Sequence, residues 1–257
     1  CAFHPLVDHY PLPLTIKNKF RFSAEEIDPD TDLILLNYPH NPSGQVASES
    51  WLRELCEYCG VHDIRLFNDA AYISLSHTDD SALLTDVACD YPNLSWSEGF
   101  TAAKLIGNGT GWHVGAMVGS PDFIADIKEI KGKTDTGFVP PMAAGVLEAF
   151  QNDADAISQF RKMYHERLKL LVNLLGDCGM RSAIKPAAGF FTLWESPTEA
   201  FGEKLETAEE FNFKMIDEVG VVGVHFPGFL RYAVCADITT MIEELEAAFR
   251  HAEVKYT

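Results

Sequence analysis

The chain has no long apolar run. No stretch reaches the roughly 18 residues that a membrane-crossing helix requires, so no spanning helix is expected. Positive charge is also scarce: 20 Lys and Arg face 38 Asp and Glu, a net charge of −18. Such a field repels phosphate backbones and acidic lipid surfaces, so neither nucleic acid nor a membrane is an expected partner, although a local pocket could hold one small anion. Cysteine is sparse. The six, at positions 1, 56, 59, 89, 178 and 235, are too scattered in 257 residues for a disulfide framework and point to a reducing, cytoplasmic setting. Cys56 and Cys59 have CxxC spacing, but without a second pair or a nearby histidine cluster they read as small core residues on a helix. Internal repeats and low-complexity tracts are absent, which excludes solenoids and arrays. The first residue is Cys1, with neither an initiator methionine nor a secretory leader, so the chain is expected to have lost its true start.

What remains is an ordinary globular composition, 47% hydrophobic and 23% charged, long enough for one large domain or two smaller ones. Short apolar runs alternate with longer segments of 3.6-residue period, the pattern of an α/β fold with a mainly parallel sheet. LILLN (33–37), IRLFN (64–68), LSWS (94–97) and VGAMVGS (114–120) read as buried strands. SESWLRELCEYCG reads as a helix closed by Gly60, and SPDFIADIKEIKG as one that starts on Ser120 and Pro121 and ends at Gly132. Two helical patterns fill 140–177. The second carries Leu168, Leu171 and Leu175 on one face and is long enough to bridge two domains. From about residue 180, AGFFTLWES and FLRYAVCAD read as strands of a smaller sheet; Thr207 with Glu210 forms a capping box and Asp237 caps the final helix. The expected organisation is a large domain over 1–152, a connecting helix over 153–178 and a smaller α+β domain over 179–257.

The stretch TAAKLIGNGTGWHVG (101–115) carries one lysine ahead of four glycines. A Walker-type loop places its lysine after the glycines, which rules that motif out. A dinucleotide turn needs GxGxxG opening a helix, whereas Gly107, Gly109 and Gly111 lead through Trp112 into a strand. Upstream, NYPHNPSG (37–44) and FNDAAY (67–72) each follow a strand, so Asn41, Asp69 and Tyr72 sit near strand C-terminal ends. In open α/β sheets those ends form the ligand crevice. Singly, each residue has a plainer reading: a solvated lysine, a capping carboxylate, a packed tyrosine, a turn asparagine.

Taken in order, NPSG, DAAY, TAAK and TGWHVG resemble the fold type I pyridoxal-phosphate enzymes of the class I/II aminotransferase family. The resemblance implies that Lys104 links covalently to pyridoxal 5'-phosphate and moves the substrate α-proton. It implies that Asp69 pairs with the pyridine nitrogen, that Tyr72 and Asn41 bond the phenolic oxygen, and that Thr101 bonds the phosphate. PGFLRYAVCAD resembles the segment whose arginine clamps the substrate α-carboxylate, which makes Arg231 the candidate, with Asn41 beside it. Phe3, in CAFHPL, lies where the family stacks an aromatic on the cofactor. The implied activity is transfer of an amino group between an amino acid and a 2-oxo acid, in a homodimer with its site between subunits. A lyase, cyclase or β/γ-replacement enzyme would use the same residues, and a non-catalytic paralogue would keep only the fold. The family's phosphate-binding arginine is His113 here. A long N-terminal portion and the loop between PG and the arginine strand are also missing, and residues omitted from the chain are the expected reason.

Overall fold

A computed structural model describes residues 6–106, 109–135, 137 and 139–256. Phe3 and Gly107 lie outside the described residues. The first region runs β1 (Leu33–Leu36), α1 (Glu49–His62), β2 (Arg65–Asp69), α2 (Leu84–Ala88), β3 (Trp96–Thr101), α3 (Ala102–Leu105), β4 (Gly115–Gly119), α4 (Pro121–Thr134) and α5 (Pro140–Asn152). Its sheet has the order β1-β2-β3-β4. The first three strands are parallel, and β4 runs antiparallel to β3. Residues 102–114 return the chain from β3 to its antiparallel neighbour β4, with α3 (Ala102–Leu105) the helix described among them.

One face of this sheet is closed by α1 and α2. Leu52, Leu55, Ile64 and Leu66 are at most 1% exposed there, and each such side chain contributes about 1.5–3 kcal/mol. Cys56 and Cys59 are free and lie in the same core, as expected of them. The strands are not buried on both faces as the sequence suggested. β1 alternates, with Leu33 and Leu35 exposed, and β4 is largely exposed, because α4 covers only part of the outer face through Phe123 on Phe67 and Arg65.

The second region follows α6 (Ala154–Asp177) and contains β5 (Ser182–Ile184), β6 (Phe191–Glu195), the short pair β7 (Glu199–Ala200) and β8 (Glu203–Lys204), α7 (Ala208–Val219), β9 (Val224–Phe226), β10 (Phe229–Ala233) and α8 (Ile242–Ala252). The antiparallel sheet β5-β6-β10-β9 packs Trp194 and Leu230 against Leu168, Leu171 and Leu175 of α6, Phe211 of α7 and Phe249 of α8. Residues 185–189 join the regions. The Ala187 N–H donates to the Gly44 carbonyl (2.9 Å), its own carbonyl accepts from the His77 N–H (2.8 Å), and the Gly189 N–H donates to the Leu75 carbonyl (2.9 Å). Gly44 has φ +67°, and a Cβ there would stand 2.9 Å from both the Ala188 carbonyl and Pro186. Only glycine suits that joint.

Three helix boundaries differ from the sequence reading. α1 continues through Gly60 to His62, and Asp63 takes the left-handed cap at φ 56°, its N–H bonded to the Cys59 carbonyl. Aspartate tolerates that conformation better than most residues. α4 passes Gly132 and stops at Thr134. Asp237 caps a 3-10 turn, Ile238–Thr240, and α8 begins only at Ile242. The Thr207 cap on α7 is present, but Glu210 reaches back to the N–H of Glu206 instead of Thr207.

Candidate active site

Because β1, β2 and β3 are parallel, their C-terminal ends lie on one side of the sheet. Asp69 is the last residue of β2, and Thr101 is the last of β3. Thr101 also caps α3, its Oγ1 accepting from the Ala103 N–H (3.3 Å). Lys104 sits in that single turn, partly buried, with its carbonyl held by the Ser74 hydroxyl at 3.1 Å. Among the described residues the Lys104 ammonium makes no hydrogen bond, and the exposed Asp69 carboxylate accepts only from the Ala71 N–H (3.2 Å).

Asn41 is held from below. Its N–H donates to Asn37 Oδ1 (3.0 Å), and Asn37 Nδ2 donates in turn to the Asp69 carbonyl (2.9 Å). Its side chain faces two partners, with Nδ2 3.5 Å from the Tyr72 hydroxyl and Oδ1 accepting from Arg231 Nη1 at 2.7 Å. Arg231 reaches across from β10 in the second region. Its guanidinium lies 4.3 Å from the centre of the Phe191 ring and 5.8 Å from that of Phe226, stacking that fixes its plane. One Nη1 contact with Asn41 leaves its other N–H groups for a planar anion.

The charges agree with this grouping. Burial raises the Tyr72 hydroxyl above the usual phenol value, with Arg231 opposing and Asp69 adding to the shift. Burial lowers the Arg231 guanidinium from its usual value. Burial raises the Cys235 thiol, against the pull of Lys104 and then Arg231, so all three groups share one neighbourhood. Asn41, Tyr72 and Arg231 thus form a bonded chain, and Lys104 and Asp69 flank it.

His113 lies just beyond the β3–β4 ladder, where Thr101 pairs with Gly115 and the Ala102 N–H donates to Val114. It is exposed, with φ 54°. The preceding Trp112 packs on α5 at Gly145, where a Cβ would come within 2.8 Å of the indole ring. The loop that presents His113 is therefore anchored to α5. The sequence reading missed Asn37, Ser74, Asn68 and Glu98. Asn37 is visible in retrospect as a polar residue closing an apolar run; Ser74 acts through a tertiary bond from a 3-10 turn to the Lys104 carbonyl, and Asn68 and Glu98 through strand pairing, none of which one sequence displays.

The fold is that of the fold type I aminotransferases. Substrate-bound BacF from Bacillus subtilis superimposes with a TM-score of 0.85 at 21% identity, covering 96% of this chain and 64% of that one. An aspartate aminotransferase from Thermotoga maritima gives 0.78 at 20% identity, covering 91% and 61%. The chain belongs to the aminotransferase class I and II family, whose model matches residues 8–249. Among curated relatives, the LL-diaminopimelate aminotransferase of Halothermothrix orenii is 26% identical, covering 95% of this chain and 63% of its own length. That of Methanocaldococcus jannaschii is 29% identical, covering 88% and 54%. The chain thus spans somewhat over half the length of the curated relatives it matches. The family uses pyridoxal phosphate and acts on amino acids and oxo acids. The donor set here, a lysine amine without a hydrogen bond, an exposed carboxylate, a phenol, an amide and a stacked guanidinium, suits that group. No helix among the described residues is long and apolar enough to cross a membrane.

Proposed function

We propose that this chain carries the core of a pyridoxal-phosphate-dependent aminotransferase site. The Tyr72–Asn41–Arg231 chain carries the reading, since it joins loops at the ends of the first sheet to β10 of the second, beside Lys104 and Asp69. Lys104 Nζ would hold the cofactor covalently and would be the base that takes and returns the substrate α-proton. Bound pyridoxal phosphate supplies an electron-withdrawing ring that stabilises negative charge at the α-carbon. Asp69 would accept from the pyridine N–H, while Tyr72 and Asn41 would donate to the phenolic oxygen. Thr101 and His113 serve the phosphate, with Phe3 as the ring-stacking aromatic. Arg231 receives the substrate α-carboxylate on the N–H groups that Asn41 leaves open, and the Phe191 and Phe226 rings exclude water around it. His113 offers fewer donors than the guanidinium at that position in the family, so His113→Arg is expected to tighten cofactor binding.

Residues 1–152 form the cofactor-binding large domain on this reading, 153–178 the interdomain helix and 179–257 the small domain. The working unit is a homodimer, which the exposed Leu33, Leu35 and Val118 support, and sedimentation velocity checks it. A cytoplasmic location accords with the free described cysteines. The deciding experiment adds pyridoxal phosphate to the protein and to Lys104→Ala and follows visible absorbance. A lysine-dependent band supports the proposal, and its absence from the unmodified protein overturns it. Amino donors are then added, with LL-diaminopimelate and aspartate first because relatives and neighbours carry those names. Loss of the band without ammonia release marks transamination, whereas ammonia release marks elimination.

A further inference from the structure

We propose that Asn68 and Glu98, assisted by Asn37, are positioning residues: a mostly buried relay that fixes Asn41 and Asp69 relative to each other. The inference rests on the cofactor reading only for the consequence of that alignment. The β1–β2 ladder ends where Leu36 pairs with Asn68. Beyond it the chain turns through Pro39, which has no N–H to extend the ladder. The Asn68 side chain takes over. Its Oδ1 accepts from the Tyr38 N–H and its Nδ2 donates to the Tyr38 carbonyl, both at 2.9 Å, a two-point clasp like a ladder rung.

The same Nδ2 donates to Glu98 Oε1 at 2.8 Å, and Asn68 and Glu98 stand opposite each other in the β2–β3 register. Glu98 has 0% exposure and Asn68 1%. The remaining Glu98 contacts come from the Leu84 N–H (3.0 Å), the Thr85 N–H (2.9 Å) and the Thr85 hydroxyl (2.7 Å). A carboxylate offers only acceptors to these four donors, whereas an amide would turn an NH2 toward some of them. A buried carboxyl is costly without such partners. Here it ties β3 to β2 through Asn68 and to the start of α2, and Asn68 carries the tie on to Tyr38 after β1, one to three residues before Asn41, Asp69 and Thr101. Asn37 adds the outer tie between Asn41 and Asp69. Since Asp69 follows Asn68 in the chain, displacing the clasp displaces both residues that would flank the cofactor ring.

Asn68→Asp tests this, because it keeps the acceptor for Tyr38 but sets an oxygen against the Tyr38 carbonyl and the Glu98 carboxylate. In the cofactor-free chain, amide exchange over 37–45 is expected to speed up about tenfold or more, with Glu98→Gln intermediate. Thr85→Val, which loosens only α2, should leave it within about twofold. In a pyridoxal phosphate titration at a temperature where every variant is folded, Asn68→Asp should weaken binding about tenfold, and Thr85→Val should not. Combining Asn68→Asp with Glu98→Gln should recover part of the loss, because the new amide can donate to the new carboxylate. A general loss of stability would not show that recovery. Unchanged exchange over 37–45 in Asn68→Asp, or equal weakening by Thr85→Val, overturns the proposal. If Asn68→Asp does not fold, Glu98→Gln against Thr85→Val makes the same comparison. If the unmodified protein takes up no cofactor, the proposed function falls, while exchange still decides the relay.

Discussion

The two sheets are held together by different means. The second packs an apolar interior of Trp194, Phe211, Phe249 and Leu230, and from it Arg231 alone among the candidate residues projects toward Asn41. The first has an apolar core on one face, but its strand ends are tied by Asn68, Glu98 and Asn37. The apolar core tolerates small shifts, whereas the polar ties fix atoms to within hydrogen-bond reach. Both regions bury some polar side chains, but the one charged residue buried among those described, Glu98, lies in the first, beside the candidate site.

The largest expected effect falls on the apolar side. Trp194→Ala removes a fully buried ring and should cost about 3–5 kcal/mol, read from urea unfolding. Arg231 should lose its alignment with Asn41 in that variant, while exchange over 37–45 stays close to normal. Gly44→Ala attacks the joint instead. The left-handed backbone costs roughly 1–2 kcal/mol, and contact with Ala188 and Pro186 adds to it. Thermal unfolding should report the loss.

Acid should loosen the first region's loops before the second region. Burial lowers His40 and His77 from the ordinary 6.5 to about 4. Below pH 6.5 the unfolded chain binds protons that the folded chain refuses, so stability is lost as pH falls from about 6.5 to 4. Below 4 this contribution levels off. The loss is about 1 kcal/mol per pH unit for each histidine, less for the wetter His77. Unfolding free energy measured across that window should fall less steeply in His40→Gln; an unchanged slope would remove His40 from the account. The smallest effect is Tyr232→Phe. The Tyr232 hydroxyl is buried without a partner, so its removal should be neutral or stabilise by less than about 1 kcal/mol.

Much of the candidate site was legible as a grouping because Asn41, Asp69, Tyr72 and Lys104 sit in short contiguous blocks. Arg231 was legible from its own segment, but its bond to Asn41 was not, since it spans two sheets. Gly60 and Gly132 misled as helix stops: a glycine marks where a helix can end, while the actual cap at Asp63 depends on which N–H finds a carbonyl. The antiparallel direction of β4 was hidden because alternation has no sense of direction. Glu98 was hidden for a different reason, since a charged residue inside a strand looks like an outward one until its donors on Asn68, Leu84 and Thr85 are seen.

The seat of Trp112 on Gly145 has a practical side. Of the four tryptophans, Trp51, Trp96 and Trp194 are buried, and Trp112 is partly exposed beside His113. The long-wavelength edge of the protein's intrinsic emission therefore belongs to that loop. A change in that loop can be followed by fluorescence, without a label, in the unmodified protein.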